Sequence, residues 1–203
     1  MPVAREKPVP SENPVPSAKL DAADAARLLA AALDVRHQEY AVGGAIALGY
    51  WGAPRGTVDV DLTLFLPPDN PSACVWLLQD LGCKLTAAQA LDSLRELGFC
   101  RVEYGGVRVD VFLPTIAFYA VARDRRRIVK LGEQPIQVWD AESLVVFKMM
   151  FFRRKDIADI EQILQTQRES LDCTWIEEQL QQLFGRHDPR ISQWNELRKD
   201  VGL

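Results

Sequence analysis

The feature that most constrains this chain is a short apolar segment in which two aspartates alternate with aliphatic residues, Val58-Asp59-Val60-Asp61-Leu62. Side chains two positions apart on a strand project from the same face, so both carboxylates share one face and the aliphatic residues share the other. Aspartate is uncommon in strands, and a lone one is most simply a solvated edge residue. A pair on one face predicts a strand that presents carboxylates to an open site.

A second segment with the same alternation, residues 107–113, carries a third aspartate, Asp110. If the two strands pair, Asp59, Asp61 and Asp110 converge. Carboxylate oxygens without histidine or cysteine favour Mg²⁺ or Mn²⁺ over Zn²⁺, and such ions usually sit between carboxylates and substrate phosphates. The pattern therefore predicts a site that holds metal and phosphate, with room for two ions on the attacking and leaving oxygens.

A diglycine, Gly43-Gly44, separates a short apolar strand from a helix-like segment that begins at Ala45. Backbone amides at such a helix start can face a phosphate without obstruction by side chains. Ordinary turn chemistry explains an isolated Gly-Gly equally well. Its position just before the acidic strand favours phosphate binding.

Together these motifs resemble the nucleotidyltransferase superfamily of polymerase-beta-like enzymes, and Arg55-x-Thr57-x-Asp59-x-Asp61 looks closest to its abortive-infection, AbiEii-like toxin branch. The resemblance implies that Gly43 and Gly44 hold the triphosphate of an NTP, with Arg55 and Thr57 bracing the phosphates. It also implies that Asp59, Asp61 and Asp110 bind the catalytic metals, and that Asp110 is the general base. A turn arginine after Pro54 is the alternative interpretation of Arg55.

A later segment resembles a second signature of that branch, a helical lysine followed by a basic residue and an Asp-x-x-Asp helix start. Here the matching residues are Lys148, Arg153, Asp156 and Asp159. The resemblance implies that Lys148 faces the triphosphate and that the two aspartates orient basic residues near the site. An N-cap at Asp156, with Asp159 in the first helical turn, is the alternative interpretation.

The fold class expected is α/β (α+β), a nucleotidyltransferase fold with a small mixed sheet flanked by helices and a helical C-terminal extension. We predict a disordered, proline-rich tail at residues 1–17, a nucleotidyltransferase core at 18–140 and a helical region at 141–203. Alternating and apolar segments predict five strands, at 39–42, 58–66, 100–104, 107–113 and 135–139. One of the helices is predicted to begin at Ile157.

Composition excludes several classes of protein. The 203 residues include four cysteines without Cys-x-x-Cys spacing and only two histidines, which argues against a zinc site. The sequence shows no secretory signal and no long uncharged apolar segment, so we expect a soluble, cytoplasmic protein without a membrane partner. The net charge of -4 gives no bulk attraction for nucleic acid. Two basic clusters, at 123–130 and 153–155, contain no interleaved aromatic residues for base stacking and are most simply solvated surface. The alternative is that both face the metal site and dock a polyanion beside it.

The function expected from the sequence is metal-dependent transfer of NMP from an NTP to an acceptor hydroxyl. By resemblance the acceptor is tRNA or another RNA, and the protein is the toxin of a type IV toxin-antitoxin system with a cognate antitoxin. A protein hydroxyl or a small molecule such as an antibiotic are the other acceptors. A non-catalytic nucleotide- or partner-binding protein of the same fold is the alternative. A metal-dependent phosphohydrolase is a third hypothesis, but it would need additional His or Asp ligands at short spacing, which this sequence does not contain.

Overall fold

A computed structural model describes residues 20–203. The predicted tail at 1–17 lies outside the described residues. The strands are β1 Tyr40–Val42, β2 Asp59–Leu64, β3 Phe99–Tyr104, β4 Val107–Phe112, β5 Arg127–Leu131 and β6 Gln134–Val138. The α-helices are α1 Ala22–Val35, α2 Gly44–Trp51, α3 Pro71–Asp80, α4 Ala87–Leu97, α5 Phe118–Arg125, α6 Ala141–Phe151, α7 Arg154–Gln167, α8 Cys173–Phe184 and α9 Pro189–Asp200.

The six strands form one mixed sheet in the order β3-β4-β2-β1-β6-β5. Strand β2 pairs with β4 in parallel and with β1 antiparallel, and β1 also pairs with β6 in parallel. The outer pairs, β3 with β4 and β5 with β6, are antiparallel hairpins. The predicted mixed sheet flanked by helices is therefore confirmed.

The two faces of the sheet differ as the alternation of residues requires. The face that carries Val60, Leu62 and Val109 is fully buried, and helices α1 and α4 pack against the sheet. Asp59, Asp61 and Asp110 lie on the opposite face because they alternate with those residues.

The helices after residue 140 continue the same hydrophobic core. Helices α6 and α7 pack against α2, and α8 packs on α6. Val145, Ile160 and Trp194 belong to one buried cluster together with residues of the sheet. The position of α6 and α7 beside α2 brings the signature around Lys148 to the same part of the molecule as the diglycine.

Two elements in the described part were not predicted, helix α5 and strand β5. They divide the basic cluster at 123–130, because Arg123 and Arg125 end the helix and Arg127 begins the strand. Strand β5 lies at the edge of the sheet and its Ile128 is largely exposed. Charged side chains on an edge strand conceal the apolar alternation that identifies an inner strand.

Helix α7 begins at Arg154, three residues before the predicted start at Ile157. The N-cap is Arg153 and not Asp156, so the N-cap interpretation of Asp156 is wrong. Asp156 is the third helical residue, and its carboxylate accepts a hydrogen bond from the Arg153 backbone N–H at 3.2 Å. This contact is the N3 half of a capping box, and the Asp156 backbone N–H donates to the Arg153 carbonyl oxygen at 2.9 Å.

Within residues 20–203, no helix has both the length and the apolar character needed to cross a lipid bilayer.

Candidate active site

The three aspartates of the acidic strands meet because β2 and β4 are parallel neighbours. Their register places Asp61 directly opposite Asp110 and Asp59 opposite Arg108. Side chains on opposed residues of paired strands lie within contact distance of one another. The sheet therefore gathers Asp59, Asp61 and Asp110 along one edge of a single cleft, whose lining contains all three.

Two arginines that the sequence analysis did not select pair with these carboxylates. Arg101 on β3 lies opposite Asp110 and donates to both of its oxygens, at 2.7 and 3.2 Å. Arg108, opposite Asp59, forms an ion pair with the Asp59 carboxylate. The Thr57 hydroxyl donates to the same carboxylate at 2.7 Å, so Thr57 braces Asp59.

The register that produces the Arg101 pair was available from the sequence. Gly105 and Gly106 both have positive φ and form the two-residue turn between β3 and β4. A two-residue hairpin turn fixes which residues face each other, and here Tyr104 pairs with Val107 and therefore Arg101 with Asp110. The Gly-Gly turn was the signal that could have identified Arg101.

Asp61 differs from the other two carboxylates because cations act on it only through charge and not through a hydrogen bond. Burial, followed by repulsion from Asp110, raises its pKa above the usual value for an aspartate. The positive charge of Lys148 opposes this shift. Asp61 is partly buried, and without a hydrogen-bonded cation its charge is only partly compensated, so a metal ion is well suited to compensate it.

The diglycine lies directly against Asp61. The Gly43 backbone N–H donates to the Asp61 carbonyl oxygen at 2.8 Å. Gly44 has φ +55°, and a Cβ on it would stand only 1.7 Å from Asp61 Oδ2. The first turn of α2 therefore approaches the carboxylate so closely that only glycine fits, and its first amides, which have no partner within the helix, start beside the acidic cluster.

A buried ion cluster supports the cleft from the α6–α7 side. Asp159 accepts a hydrogen bond from Lys148 Nζ at 2.6 Å and two from the Arg55 guanidinium, each at 3.1 Å. The side chains of Lys148 and Asp159 are only 6% and 5% exposed. Burial alone would raise the pKa of Asp159, but the hydrogen bonds and charges of Arg55 and Lys148 outweigh it and hold the pKa below its usual value.

Arg153 forms a second pair, with Asp156. Its guanidinium Nε donates to the carboxylate at 2.6 Å, and this contact raises the pKa of Arg153. Asp156 is buried whereas Arg153 is about half exposed. The pair therefore presents a fixed cation at the mouth of the cleft.

The cleft brings together eight of the eleven residues selected from the sequence. These are Gly44, Arg55, Asp59, Asp61, Asp110, Lys148, Arg153 and Asp156. The remaining three, Gly43, Thr57 and Asp159, touch members of this group without lining the cleft.

Charge in the cleft is opposite to that of the whole molecule. Six cationic side chains and four carboxylates line it, whereas the chain has a net charge of -4. Such a cleft concentrates anionic ligands even though the protein as a whole is acidic.

The carboxylates are not arranged for joint ligation in this conformation. Among residues 20–203, no group of three or more His, Cys, Asp or Glu side chains stands where it could hold a metal ion. The reason is visible at Asp59 and Asp110, whose oxygens are directed to Arg108 and Arg101. A metal ion that binds all three aspartates must displace at least one of these guanidinium groups.

The sequence matches no protein-family model, and no curated protein matches it. Solved structures do match. The solution structure of the antibiotic-resistance factor ANT(2'')-Ia has 17% identity and a TM-score of 0.51, over 79% of this chain and 89% of that one. The crystal structure of ANT(2'')-Ia in complex with adenylyl-2''-tobramycin has 16% identity and a TM-score of 0.50, over 87% and 95% of the two chains.

A further similar structure is that of an antigenic nucleotidyltransferase-like protein from Paracoccidioides brasiliensis, with 18% identity and a TM-score of 0.48, over 84% of this chain and 92% of that one. At these identities a likeness shows the fold alone. The two ANT(2'')-Ia structures show that the chain shares the fold of this antibiotic-resistance factor.

Proposed function

We propose that this protein transfers an NMP group from an NTP to an acceptor hydroxyl, with Mg²⁺ or Mn²⁺, and releases pyrophosphate. The observation that carries the proposal is the parallel pairing of β2 and β4, which sets Asp61 beside Asp110 at the glycine-led start of α2. The excess of cations over carboxylates in the same cleft supports an anionic substrate. The shared fold with ANT(2'')-Ia agrees with this chemistry.

The donor set fits a hard divalent ion. Asp59, Asp61 and Asp110 would hold it through carboxylate oxygens, the ligands that Mg²⁺ and Mn²⁺ prefer. The partly compensated charge of Asp61 favours such a ligand. When bound, the ion supplies charge neutralisation on the transferring phosphoryl group.

The residues of the chain would bind the phosphates and accept the proton. The acceptor oxygen attacks the α-phosphorus, the bond from that phosphorus to the oxygen bridging the α- and β-phosphates breaks, and pyrophosphate leaves. Asp110 would accept the hydroxyl proton. The first amides of α2, at Gly44 and Ala45, would bind phosphate oxygens together with Arg55 and Lys148, which Asp159 holds in place. Positioning and charge account for the rate in such a site.

A narrower assignment is that the protein is the toxin of a type IV toxin-antitoxin system, which acts on tRNA or another RNA in the cytoplasm and is neutralised by a cognate antitoxin. The Arg55-x-Thr57-x-Asp59-x-Asp61 pattern supports it. A protein hydroxyl or a small molecule is the other kind of acceptor.

A second candidate function is nucleotide binding without turnover. The guanidinium groups of Arg101 and Arg108 favour it, because they neutralise two of the three carboxylates in place of a metal ion. The two functions differ in whether any covalent product forms.

The experiment is incubation of the full chain with each of four α-labelled NTPs and Mg²⁺ or Mn²⁺, in the presence of total cellular RNA. The expected result is label that becomes covalently attached to RNA or protein. The control is the Asp59→Asn/Asp61→Asn variant, with which neither RNA nor protein should become labelled. Binding of NTP without covalent label in any mixture would favour the non-catalytic candidate.

A further inference from the structure

A second pocket opens beside the acidic cluster, on the side away from Gly44. Its volume is about 400 Å³, and it shares Asp61, Asp110, Arg101 and Arg153 with the cleft described above. Ligand pockets in proteins commonly measure about 300 to 1,000 Å³. The pocket therefore has room for a ligand group that adjoins the reacting atoms, and we call it the side pocket.

Seven of the twelve residues that line the side pocket are apolar or aromatic, and four of these seven are aromatic. Phe99 and Phe112 pack with ring centroids 5.0 Å apart, and Phe112 and Phe151 with centroids 6.2 Å apart. At the rim, Phe151 is 50% exposed and Leu97 is 69% exposed. Aromatic and apolar side chains left open to solvent in a concave site favour a flat, apolar ring as the ligand.

The charged groups of the side pocket are of two kinds. Its carboxylates are Asp61 and Asp110, which the proposed function assigns to metal. Its cations are Arg101 and Arg153, and each lies against a ring of the same pocket, with the guanidinium 5.9 Å from the Phe99 centroid and 4.8 Å from the Phe151 centroid. A polycation finds no further acidic group among the lining residues, whereas an anion finds two arginines, each of which is also paired with one aspartate, Asp110 or Asp156.

We propose that the side pocket binds the acceptor and that this acceptor is a nucleotide. The base packs among Phe99, Phe112 and Phe151, a phosphate lies near Arg101 and Arg153, and the ribose hydroxyl is directed to Asp110. Stacking of bases on aromatic rings with arginine beside a phosphate is how proteins hold single nucleotides. Binding in this pocket is independent of the proposed function, and only the ligand's role as acceptor rests on it.

The test uses binding without NTP or metal, so that it does not depend on transfer. An RNA trinucleotide with 4-thiouridine at its 3′ end is photo-cross-linked to the full chain, and the modified residues are mapped by mass spectrometry. Affinities of AMP, the trinucleotide and tobramycin are measured by calorimetry. The expected result is cross-links within residues 97–119 or 150–153 and no measurable binding of tobramycin.

Four variants, including two controls, test recognition of the base and of the phosphate separately. Phe99→Leu keeps an apolar side chain but removes the ring, and should weaken trinucleotide binding at least about fivefold. Thr115 lines the side pocket and is exposed. Thr115→Glu adds a negative charge there and should weaken binding about fivefold relative to Thr115→Gln, which has nearly the same shape. Trp76→Ala, which removes an exposed aromatic residue of α3 outside the pocket, should bind like the unmodified protein.

Cross-links confined to other surfaces, unchanged affinity in Phe99→Leu, or tighter binding of tobramycin than of the trinucleotide would each overturn the proposal. Tighter binding of the trinucleotide than of AMP identifies the end of an RNA chain as the ligand, and equal binding identifies a free nucleotide. If the cross-links map to the pocket and no NTP is ever consumed, the pocket stands and the proposed function fails. If NMP is transferred but no nucleotide binds here, the proposed function stands and the proposal for the side pocket fails.

Discussion

Replacement of Gly44 by alanine tests the contact between the diglycine and Asp61. At φ +55° an L-residue is disfavoured by about 1 to 2 kcal/mol. The added Cβ would also stand 1.7 Å from Asp61 Oδ2 and 2.6 Å from its Cγ, so the carboxylate must rotate away. Forcing a side chain off its preferred rotamer costs about 0.5 to 1.5 kcal/mol. Gly44→Ala should therefore lower the free energy of unfolding by roughly 2 to 3 kcal/mol.

For a chain of this length each kcal/mol shifts Tm by about 2 to 4 °C, so the expected decrease is about 4 to 12 °C. Gly49→Ala is the matched control, because Gly49 lies inside the same helix and a Cβ there meets nothing within 4 Å. It should leave Tm unchanged or raise it by a few degrees, since alanine favours a helix by about 1 kcal/mol over glycine.

The assay is thermal unfolding by calorimetry together with Mn²⁺ binding by isothermal titration. We expect Gly44→Ala to lose both stability and Mn²⁺ affinity, because it displaces one of the proposed ligands. Equal Tm and equal Mn²⁺ affinity in Gly44→Ala and Gly49→Ala would refute the close approach of α2 to Asp61.

Three further predictions concern the charges of the cleft. Without metal, Asp61→Asn should raise the free energy of unfolding by up to about 1 kcal/mol at neutral pH, as measured by chemical denaturation, because it removes the charge of a partly buried carboxylate that no cation hydrogen-bonds; a loss of stability would contradict this view of Asp61. Asp159→Asn should destabilise by about 3 kcal/mol at neutral pH, because Lys148 stays buried without its partner, and Arg55→Ala should cost under about 1 kcal/mol since Arg55 is 40% exposed. The pKa of Asp159 is lower in the folded protein than its unfolded value of 3.8, so the stabilisation by Asp159 is fully present above pH 3.8 and is lost as pH falls through the lower folded value. The free energies of unfolding of the unmodified protein and Asp159→Asn should therefore converge below pH 3.8 in acid unfolding curves. A constant difference would be inconsistent with the ion cluster. Arg101→Gln should tighten Mn²⁺ binding by up to about fivefold in calorimetry, because it frees Asp110, whereas replacing the exposed Arg95 of α4, Arg95→Gln, should change nothing. Weaker binding in Arg101→Gln would show that the arginine does not compete with metal.

The parts of this molecule that the sequence predicts well are those encoded by local alternation. The period-two pattern around Asp59 and around Asp110 identified two strands and the face of each carboxylate, because that face depends only on residue spacing. The parallel pairing that joins the two strands is a long-range property, since each paired residue lies 49 positions from its partner in the chain. From the sequence, this pairing could only be stated as the condition under which the three carboxylates would converge.

The parts that the sequence did not predict are those set by tertiary contacts. The pair of Arg108 with Asp59 depends on the register between parallel strands, which alternation within one strand does not determine. The pair of Arg101 with Asp110 was missed although the Gly105-Gly106 turn indicates its register. The cluster of Arg55, Lys148 and Asp159 depends on how α6 and α7 pack against α2. Phe99, Phe112 and Phe151 of the side pocket come from β3, β4 and α6, so no single segment of the sequence shows the three aromatic residues together. The missed β5 follows from its exposed edge position.

The proposed function requires that the acidic cluster transfer a nucleoside monophosphate and not a terminal phosphate. This requirement is tested by a pair of parallel reactions, with the same NTP labelled at the α- or at the γ-phosphate, in the presence of Mn²⁺ and total cellular RNA, for the unmodified protein and for Asp110→Asn. We expect α-label to become covalently attached to an acceptor while γ-label is released as pyrophosphate, and we expect neither with Asp110→Asn. Release of γ-label as orthophosphate, or transfer that is undiminished in Asp110→Asn, would contradict the proposed function.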